Sequence, residues 1–363
     1  MNVEILCSSR ELFGADRSAL RLAEALLDIG LSPTVIVPSD RPELGLSGAA
    51  SERGIPTREE RIAIASSRGV ESLSAVLPAR GRRSRADLTI FNTTAVLGSG
   101  GSVSKKLVIV REWLDPGSPR HRLLAARHRF GADAIVGVSS DVVGQWRKCI
   151  RGPAQQHVLH NWLDRGLLDR TGRADSPKER NGILCIGRFN RWKGQDALAS
   201  AYEDAFSSSD DRPALRFVGA QPGSEFDAPA TAIATRGRSF GWEVLPFTSD
   251  PFDHFQDAAL VVVPSLQPEP FGTIVLEALA HGCCVIAFEG GGPSDMAKDF
   301  PGSIQLVPRS GPGLADALSA WWQRGGPALS EDARSHARQT LESRYSPETG
   351  AKSWRTVIDA LTP

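Results

Sequence analysis

The sequence predicts an α/β protein built from two parallel-sheet domains, and three observations carry that prediction. The chain has 363 residues, enough for two cores of ordinary size. Short apolar runs alternate with stretches of helical periodicity along both halves, the pattern of a parallel sheet covered by helices. Between the halves, Arg165 to Asn181 is polar and turn-rich (Thr171-Gly172-Arg173-Ala174-Asp175-Ser176-Pro177) and reads as a connection. The expected division is a first domain over 1–165, a linker over 166–181 and a second domain over 182–345, followed by a helix within 346–363.

In the first domain, Val3 to Ser8 reads as a buried strand. Asp16 to Ile29 carries Leu20, Ala23, Leu26 and Leu27 at helical spacing and closes on Gly30. Gly14 lies between the two, where a glycine lets a ligand approach the backbone; a simple turn is the other reading. Further strands are expected at Thr34 to Val37, Asp87 to Phe91, Lys106 to Val110, Ala134 to Val138 and His157 to His160. Ligands of parallel sheets sit at the carboxyl ends of the strands, so Arg111 and Glu112, which follow one of them, are candidate contacts. A surface ion pair explains Arg111 equally well.

The second domain opens with a strand from Gly182 to Gly187, and Ala214 to Val218, Trp242 to Phe247, Leu260 to Val263 and Cys283 to Phe288 continue the sheet. Residues 201–212 and 222–239 read as loops. The closing helix, Ser346 to Leu361, places Trp354, Val357 and Leu361 at core spacing.

Composition narrows the function. Apolar residues make up 41% and charged residues 23%, ordinary values for a soluble globular protein. Lys plus Arg and Asp plus Glu both number 42, which offers no case for nucleic acid. Residues 51–129 nevertheless hold 15 basic and 7 acidic side chains. They include Arg80, Arg82, Arg83 and Arg85, and a second group (Arg120, His121, Arg122, Arg127, His128, Arg129) around Leu123-Leu124-Ala125-Ala126. That second group reads either as a solvated helix, the favoured reading, or as a basic helix on an anionic membrane surface. The five cysteines show no metal spacing and read as buried thiols of a reducing compartment. No signal peptide and no membrane span is visible, so a cytoplasmic location is expected, with peripheral contact at the inner face of the cell membrane as the basic segment's contribution.

Two strings carry chemistry. After Leu260-Val261-Val262-Val263 comes Pro264-Ser265-Leu266-Gln267-Pro268-Glu269-Pro270-Phe271-Gly272-Thr273-Ile274-Val275-Leu276-Glu277-Ala278-Leu279-Ala280-His281-Gly282. It reads as a strand, a proline-rich loop and a helix with Thr273 as N-cap, so that Glu269 precedes the helix and Glu277 lies one turn inside it. The amides of Gly272 and Thr273 then stand at the positive end of the helix dipole, suited to phosphate or sugar oxygens. The other string, Gly187-Arg188-Phe189-Asn190-Arg191-Trp192-Lys193-Gly194, puts two cations five residues apart on a loop opening a helix. Arginine by its planar fork and lysine as a point charge could clamp a diphosphate.

The first of these strings resembles the Glu-x7-Glu signature of retaining glycosyltransferases of the GT-B fold, in its family 4 version. The second resembles the Gly-Arg-x4-Lys-Gly element of the same family, about 80 residues upstream. The resemblance covers about 182–310 closely and the first domain more loosely. It implies two Rossmann-like domains facing each other across a cleft, with the terminal helix returning to the first domain. It implies transfer of a sugar from a nucleotide-diphospho-sugar, with retention, to a glycan or lipid-linked acceptor of bacterial surface polysaccharide or glycolipid synthesis. Arg188 and Lys193 would hold the donor phosphates in place of a metal, Glu269 would support the transferred sugar, and Glu277 would hold the ribose. Phe271, Gly272 and Thr273 would fix sugar hydroxyls through the backbone, Leu245 and Phe247 would lie near the base, and Gly14 would face the cleft. Where the family has a first-domain histidine, this chain has Arg111-Glu112. No cofactor is implied. Two other activities compete, a catalytically idle nucleotide-sugar-binding subunit and a GT-B epimerase; the presence of Arg188, Lys193 and Glu269 together speaks for transfer.

Overall fold

The computed structural model describes residues 1–62, 64–66, 69–70, 86–96, 104–129, 131–149, 154–173, 180, 182–207, 211–309 and 311–362. The chain divides into two compact units, residues 1–164 with 346–363, and residues 165–345.

The first unit is organised on seven strands: β1 (Asn2–Leu6), β2 (Ser32–Pro38), β3 (Thr57–Glu60) and, after a two-residue antiparallel pair β4 (Ala65–Ser66) and β5 (Gly69–Val70), β6 (Leu88–Phe91), β7 (Lys105–Val110), β8 (Ala134–Gly137) and β9 (Gln155–Val158). Their order is β3-β2-β1-β6-β7-β8-β9, and neighbours run parallel throughout. Central strands β6 and β8 are buried at every residue, as expected of a sheet covered on both faces. β3, with the sequence Thr-Arg-Glu-Glu, gives no apolar signal because it is an exposed edge strand. The sheet reverses its winding between β1 and β6, so the carboxyl ends of those two strands flank its topological switch point.

The closing helix, Pro347–Leu361, is capped by Ser346, whose hydroxyl accepts from the Thr349 amide, and it packs on the helix Gly14–Asp28. Trp354, Val357 and Leu361 are buried there. At Gly350 a Cβ would lie 2.4 Å from the Trp162 ring, so a glycine is what lets that indole sit against the helix.

The second unit has six parallel strands: β10 (Gly182–Ile186), β11 (Leu215–Ala220), β12 (Glu243–Pro246), β13 (Ala258–Val263), β14 (Cys284–Phe288) and β15 (Ile304–Val307). Their order, β12-β11-β10-β13-β14-β15, reverses between β10 and β13. The helices Gln195–Phe206 and Gly311–Gln323 pack together, as do Thr273–Ala280 and Glu331–Arg344. The core gathers Phe217, Tyr202 and Trp242, the last two edge to face at 5.6 Å.

Several expectations need correction. Residues 166–181 do not form a bare linker: they hold the helix Leu167–Arg173, which belongs to the second unit. The expected loops 201–212 and 222–239 carry helix as well, the first as the end of Gln195–Phe206 and the second as Asp227–Arg236, whose Ala230 and Ile233 enter the core. Arg80, Arg82, Arg83 and Arg85 lie outside the described residues. In the helix Pro119–Arg129, Leu124 and Ala125 are buried within the first unit, so only part of the expected apolar run, Leu123 at 68% exposed, faces outward. No helix among the described residues is long and apolar enough to cross a membrane.

His281, just past the helix Thr273–Ala280, stacks on Phe255 at 4.5 Å, and its Nδ1 meets the Glu277 carbonyl at 2.8 Å. Burial pushes its pKa down to about 4, and the charges of Arg180 and Arg170 add to the shift. The unfolded chain therefore takes up a proton near its ordinary 6.5 that the folded chain refuses. Stability from this group is complete above about pH 6.5 and falls by up to about 1.4 kcal/mol per unit as the pH drops towards 4. Urea unfolding at about pH 7 and about pH 4.5 should show wild type losing roughly 2 kcal/mol more than His281→Gln. Equal losses would remove His281 as the cause.

Candidate functional site

The site of the second unit is built where β10 and β13 end side by side. Beyond β10 the chain passes Gly187 and Arg188, buries Phe189, and turns through a 3₁₀ segment, Arg191–Lys193. Asn190 caps that segment, its Oδ1 accepting from the Lys193 amide at 3.2 Å. Gln195 ties the loop to itself, donating to the Gly187 and Arg188 carbonyls at 3.2 and 2.9 Å. Gly194 follows with φ +72°, and a Cβ there would stand 1.9 Å from the Pro264 carbonyl oxygen of the β13 loop. The Leu266 amide donates to the Trp192 carbonyl at 2.7 Å. The two strings are therefore one interlocked structure.

Its centre is an ion pair. Lys193 Nζ lies 2.8 Å from Glu269 Oε2, and the Ser265 hydroxyl donates to the same oxygen at 2.7 Å. Glu269 is only 8% exposed, and among the described residues its Oε1 has no partner. The ammonium also sits 4.1 Å from the centroid of the Trp192 ring, so an aromatic face and a carboxylate hold it together. The backbone of Glu269 is pinned from the far side: the Gly292 amide donates to its carbonyl at 2.9 Å, and the residue bridges to Gly291. A Cβ on Gly291 would fall 1.9 Å from that carbonyl oxygen, and one on Gly292 would fall 2.1 Å from the Phe271 oxygen.

The helix Thr273–Ala280 starts beside this pair. Gly272, not the expected Thr273, is its N-cap: φ is +79°, a left-handed turn that the glycine adopts freely, and Thr273 is the first helical residue. The opening amides, Thr273 and Ile274, have no intrahelical acceptor. Phe271 is buried, its ring 6.5 Å from that of Tyr345, so the residue offers its backbone and not its side chain. Glu277 is half-buried one turn into the helix.

Arg188 stands at the same strand end, but its guanidinium lies over the Phe226 ring at 5.7 Å. Leu245 belongs to β12, two strands from β10, and Phe247 follows it, 39% exposed and donating through its amide to the Ala220 carbonyl at 2.8 Å. The sequence reading passed over Ser265, Asn190 and Gln195, whose roles depend on the facing loop or on a carbonyl that no periodicity marks.

Gly14, Arg111 and Glu112 belong to the first unit, at the carboxyl side of its sheet. Gly14 is the first residue of its helix, is exposed, and would meet nothing within 4 Å if it carried a Cβ. Arg111 is a fixed group and not a surface ion pair: Nε donates to Asn92 O and Oδ1 at 3.2 and 3.1 Å, and Nη1 to Asn161 Oδ1 at 2.8 Å. Enclosure of the guanidinium lowers its pKa to about 10, assisted by the charge of Arg21. Burial pushes the Glu112 carboxyl up, against the amides of Arg111 and Thr94 that it accepts from.

Comparison with known proteins bears on the fold and the family of the second unit. Residues 171–339 match the family described as glycosyl transferases group 1. Over its full length the chain resembles Anabaena HepE in complex with UDP and glucose, with a TM-score of 0.79 at 18% identity, covering 99% of this chain and 100% of that one. Sucrose-phosphate synthase from Thermosynechococcus elongatus is similar at a TM-score of 0.73 and 16% identity, covering 99% of each chain. The fold is GT-B. Among curated proteins, a D-inositol 3-phosphate glycosyltransferase of Geodermatophilus obscurus is 30% identical over 190 residues, 49% of this chain and 38% of the relative. A 2-deoxystreptamine N-acetyl-D-glucosaminyltransferase of Niallia circulans is 25% identical over 167 residues, 46% of this chain and 41% of that protein. The chain thus spans about two fifths of the length of these curated relatives. Its second unit, residues 165–345, contains the whole Lys193–Glu269 site and all of the family match.

The glycine contacts behind Glu269 set a measurable cost. Gly291→Ala combines a positive φ with a collision against backbone, and should cost about 2 to 4 kcal/mol in chemical denaturation. Gly223→Ala, at φ +75° with nothing within 4 Å, should cost about 1 kcal/mol. Similar losses for both would refute the close approach at Gly291.

Proposed function

We propose that the protein is a retaining glycosyltransferase of the family 4 type, moving a sugar from a nucleotide-diphospho-sugar to a glycan or glycolipid acceptor of bacterial surface polysaccharide or glycolipid assembly. The observation that carries this reading is the Lys193–Glu269 pair, set beside a helix N-terminus at the switch point of a parallel sheet. One fixed cation, one fixed carboxylate and backbone amides at a helix start are what a departing nucleoside diphosphate and an electron-poor anomeric carbon require.

In this reading Lys193 and Arg188 bind the diphosphate, Arg188 swinging from its place over Phe226. Charge that develops on the leaving phosphate is met by these cations and by the amides of Gly272 and Thr273, with no metal in the step. Glu269 faces the sugar and stabilises positive charge at its anomeric carbon. Glu277 holds the ribose, and Leu245 and Phe247 flank the base. Gly14, Arg111 and Glu112 are the first unit's contribution to sugar and acceptor binding. Support for a nucleotide-sugar donor comes from the UDP and glucose of the HepE complex and from the group 1 match. The protein works in the cytoplasm, with Arg120, Arg122 and Leu123, exposed on one helix, as its contact with an anionic membrane.

A thermal-shift panel of UDP-, GDP- and dTDP-sugars tests the donor site. One nucleotide class should raise Tm, chelator should leave that rise unchanged, and Arg188→Ala and Lys193→Ala should each weaken binding by about 10- to 100-fold, the loss of one charge-assisted contact. A wild type that no nucleotide stabilises, or variants that respond as wild type does, would overturn the assignment.

A further inference from the structure

We infer that Ser265 is a positioning residue for Glu269, fixing the carboxylate that faces the transferred sugar; the inference rests on the glycosyltransferase reading. Ser265 is 2% exposed, two residues beyond the end of β13, and its hydroxyl donates to Glu269 Oε2 at 2.7 Å. Lys193 occupies the same oxygen at 2.8 Å. Both contacts therefore fall on one side of the carboxylate, and Oε1 is left without a partner among the described residues. A carboxylate held by one oxygen presents the other in a fixed direction.

The two holders differ in what a donor does to them. A diphosphate draws on the Lys193 ammonium, which is 25% exposed and has the freedom of a long side chain. Ser265 carries no charge for phosphate to compete for, and its side chain has a single torsion inside a closed loop. Once Lys193 engages the donor, Ser265 remains as the side chain that fixes the Glu269 torsion. The backbone of Glu269 is already pinned by Gly291 and Gly292, so the hydroxyl governs the carboxylate and not the loop.

The consequence is a loss in turnover with donor binding retained. The assay follows UDP or GDP release with water as acceptor, using a panel of UDP- and GDP-sugars. In that step the bond from the anomeric carbon to the β-phosphate oxygen breaks, its electron pair leaving on that oxygen. A bond to the water oxygen forms, and the water proton ends on the phosphate. Ser265→Ala should lower kcat by about 10- to 100-fold, the range for a small misplacement of a reacting group. KM for the sugar nucleotide and Kd for the free nucleotide should stay within roughly threefold, because the phosphate contacts survive. Ser265→Thr, which keeps the hydroxyl, should recover most of kcat.

Turnover by Ser265→Ala within about threefold of wild type overturns the inference. So does a variant that loses nucleotide binding and Tm together with kcat, or a Ser265→Thr that stays folded and binds nucleotide but recovers no kcat, since the hydroxyl would then matter only to the fold or not at all. Wild type that neither binds a nucleotide nor releases one from any sugar of the panel overturns the glycosyltransferase reading itself, and the inference with it. Wild type that binds and turns over a donor while Ser265→Ala matches it leaves that reading standing and removes only the role of Ser265.

Discussion

Lys193 and Glu269 stand 76 residues apart in sequence and 2.8 Å apart in space, and the second unit is arranged so that this contact exists. The cause is sheet order. β10 is the unit's first strand and β13 follows two intervening strands, yet they pair because β11 and β12 are laid on one side and β14 and β15 on the other. Two loops that leave neighbouring parallel strands at the reversal cannot be covered by the same crossover helix, so a gap opens above them. A short cationic loop and a short acidic loop fill that gap from its two sides.

Contact at that distance needs backbones closer than side chains normally allow, and three glycines supply it. Gly194 lets the β10 loop touch the Pro264 carbonyl; Gly291 and Gly292 let the β14 loop touch Glu269 and Phe271 from behind. Glu269 is therefore located by its main chain, with its torsion left to Ser265 and Lys193. The first unit uses a different device at the end of β7, next to its switch-point strand β6. There Arg111 is anchored through neutral amide groups, Asn92 and Asn161, and among the described residues no carboxylate hydrogen-bonds its guanidinium. Asn92 is itself tied to the Ala15 carbonyl in the first turn of the helix Gly14–Asp28.

What the sequence made legible was local. Apolar runs marked most of the parallel strands within a residue or two, because strands buried on both faces are apolar throughout. The strings at 187–194 and 264–282 were readable because each loop's charges, glycines and following helix are contiguous. β3 escaped notice because an exposed edge strand has no reason to be apolar, and the helix Asp227–Arg236 because its alanines look like loop filler until Ala230 and Ile233 meet the core. Thr273 looked like an N-cap by residue type, but a left-handed Gly272 turns the chain more sharply than threonine could. Ser265 and the glycines behind Glu269 act across loops, and no single-string pattern encodes which loop faces which.

The ion pair is poorly explained as a device for stability. Its side chains are 25% and 10% exposed, so both charges lose much of their hydration, and the Coulombic gain of such a pair largely offsets that loss and no more. An apolar pair of similar volume would hold the loops as well. A half-wet pair has a different property: each partner satisfies the other while the site is empty, at little net cost, and either can be drawn to a ligand of opposite charge. The Trp192 face beside the ammonium and the carboxylate's Oε1, unpartnered among the described residues, keep the pair open in two directions, one towards an anion and one towards a cation or hydroxyl. Under the proposed reading, in which a diphosphate and an electron-poor sugar bind within a few ångströms of each other, that polarity is what the site needs, and the glycine-set backbones fix it in the protein itself.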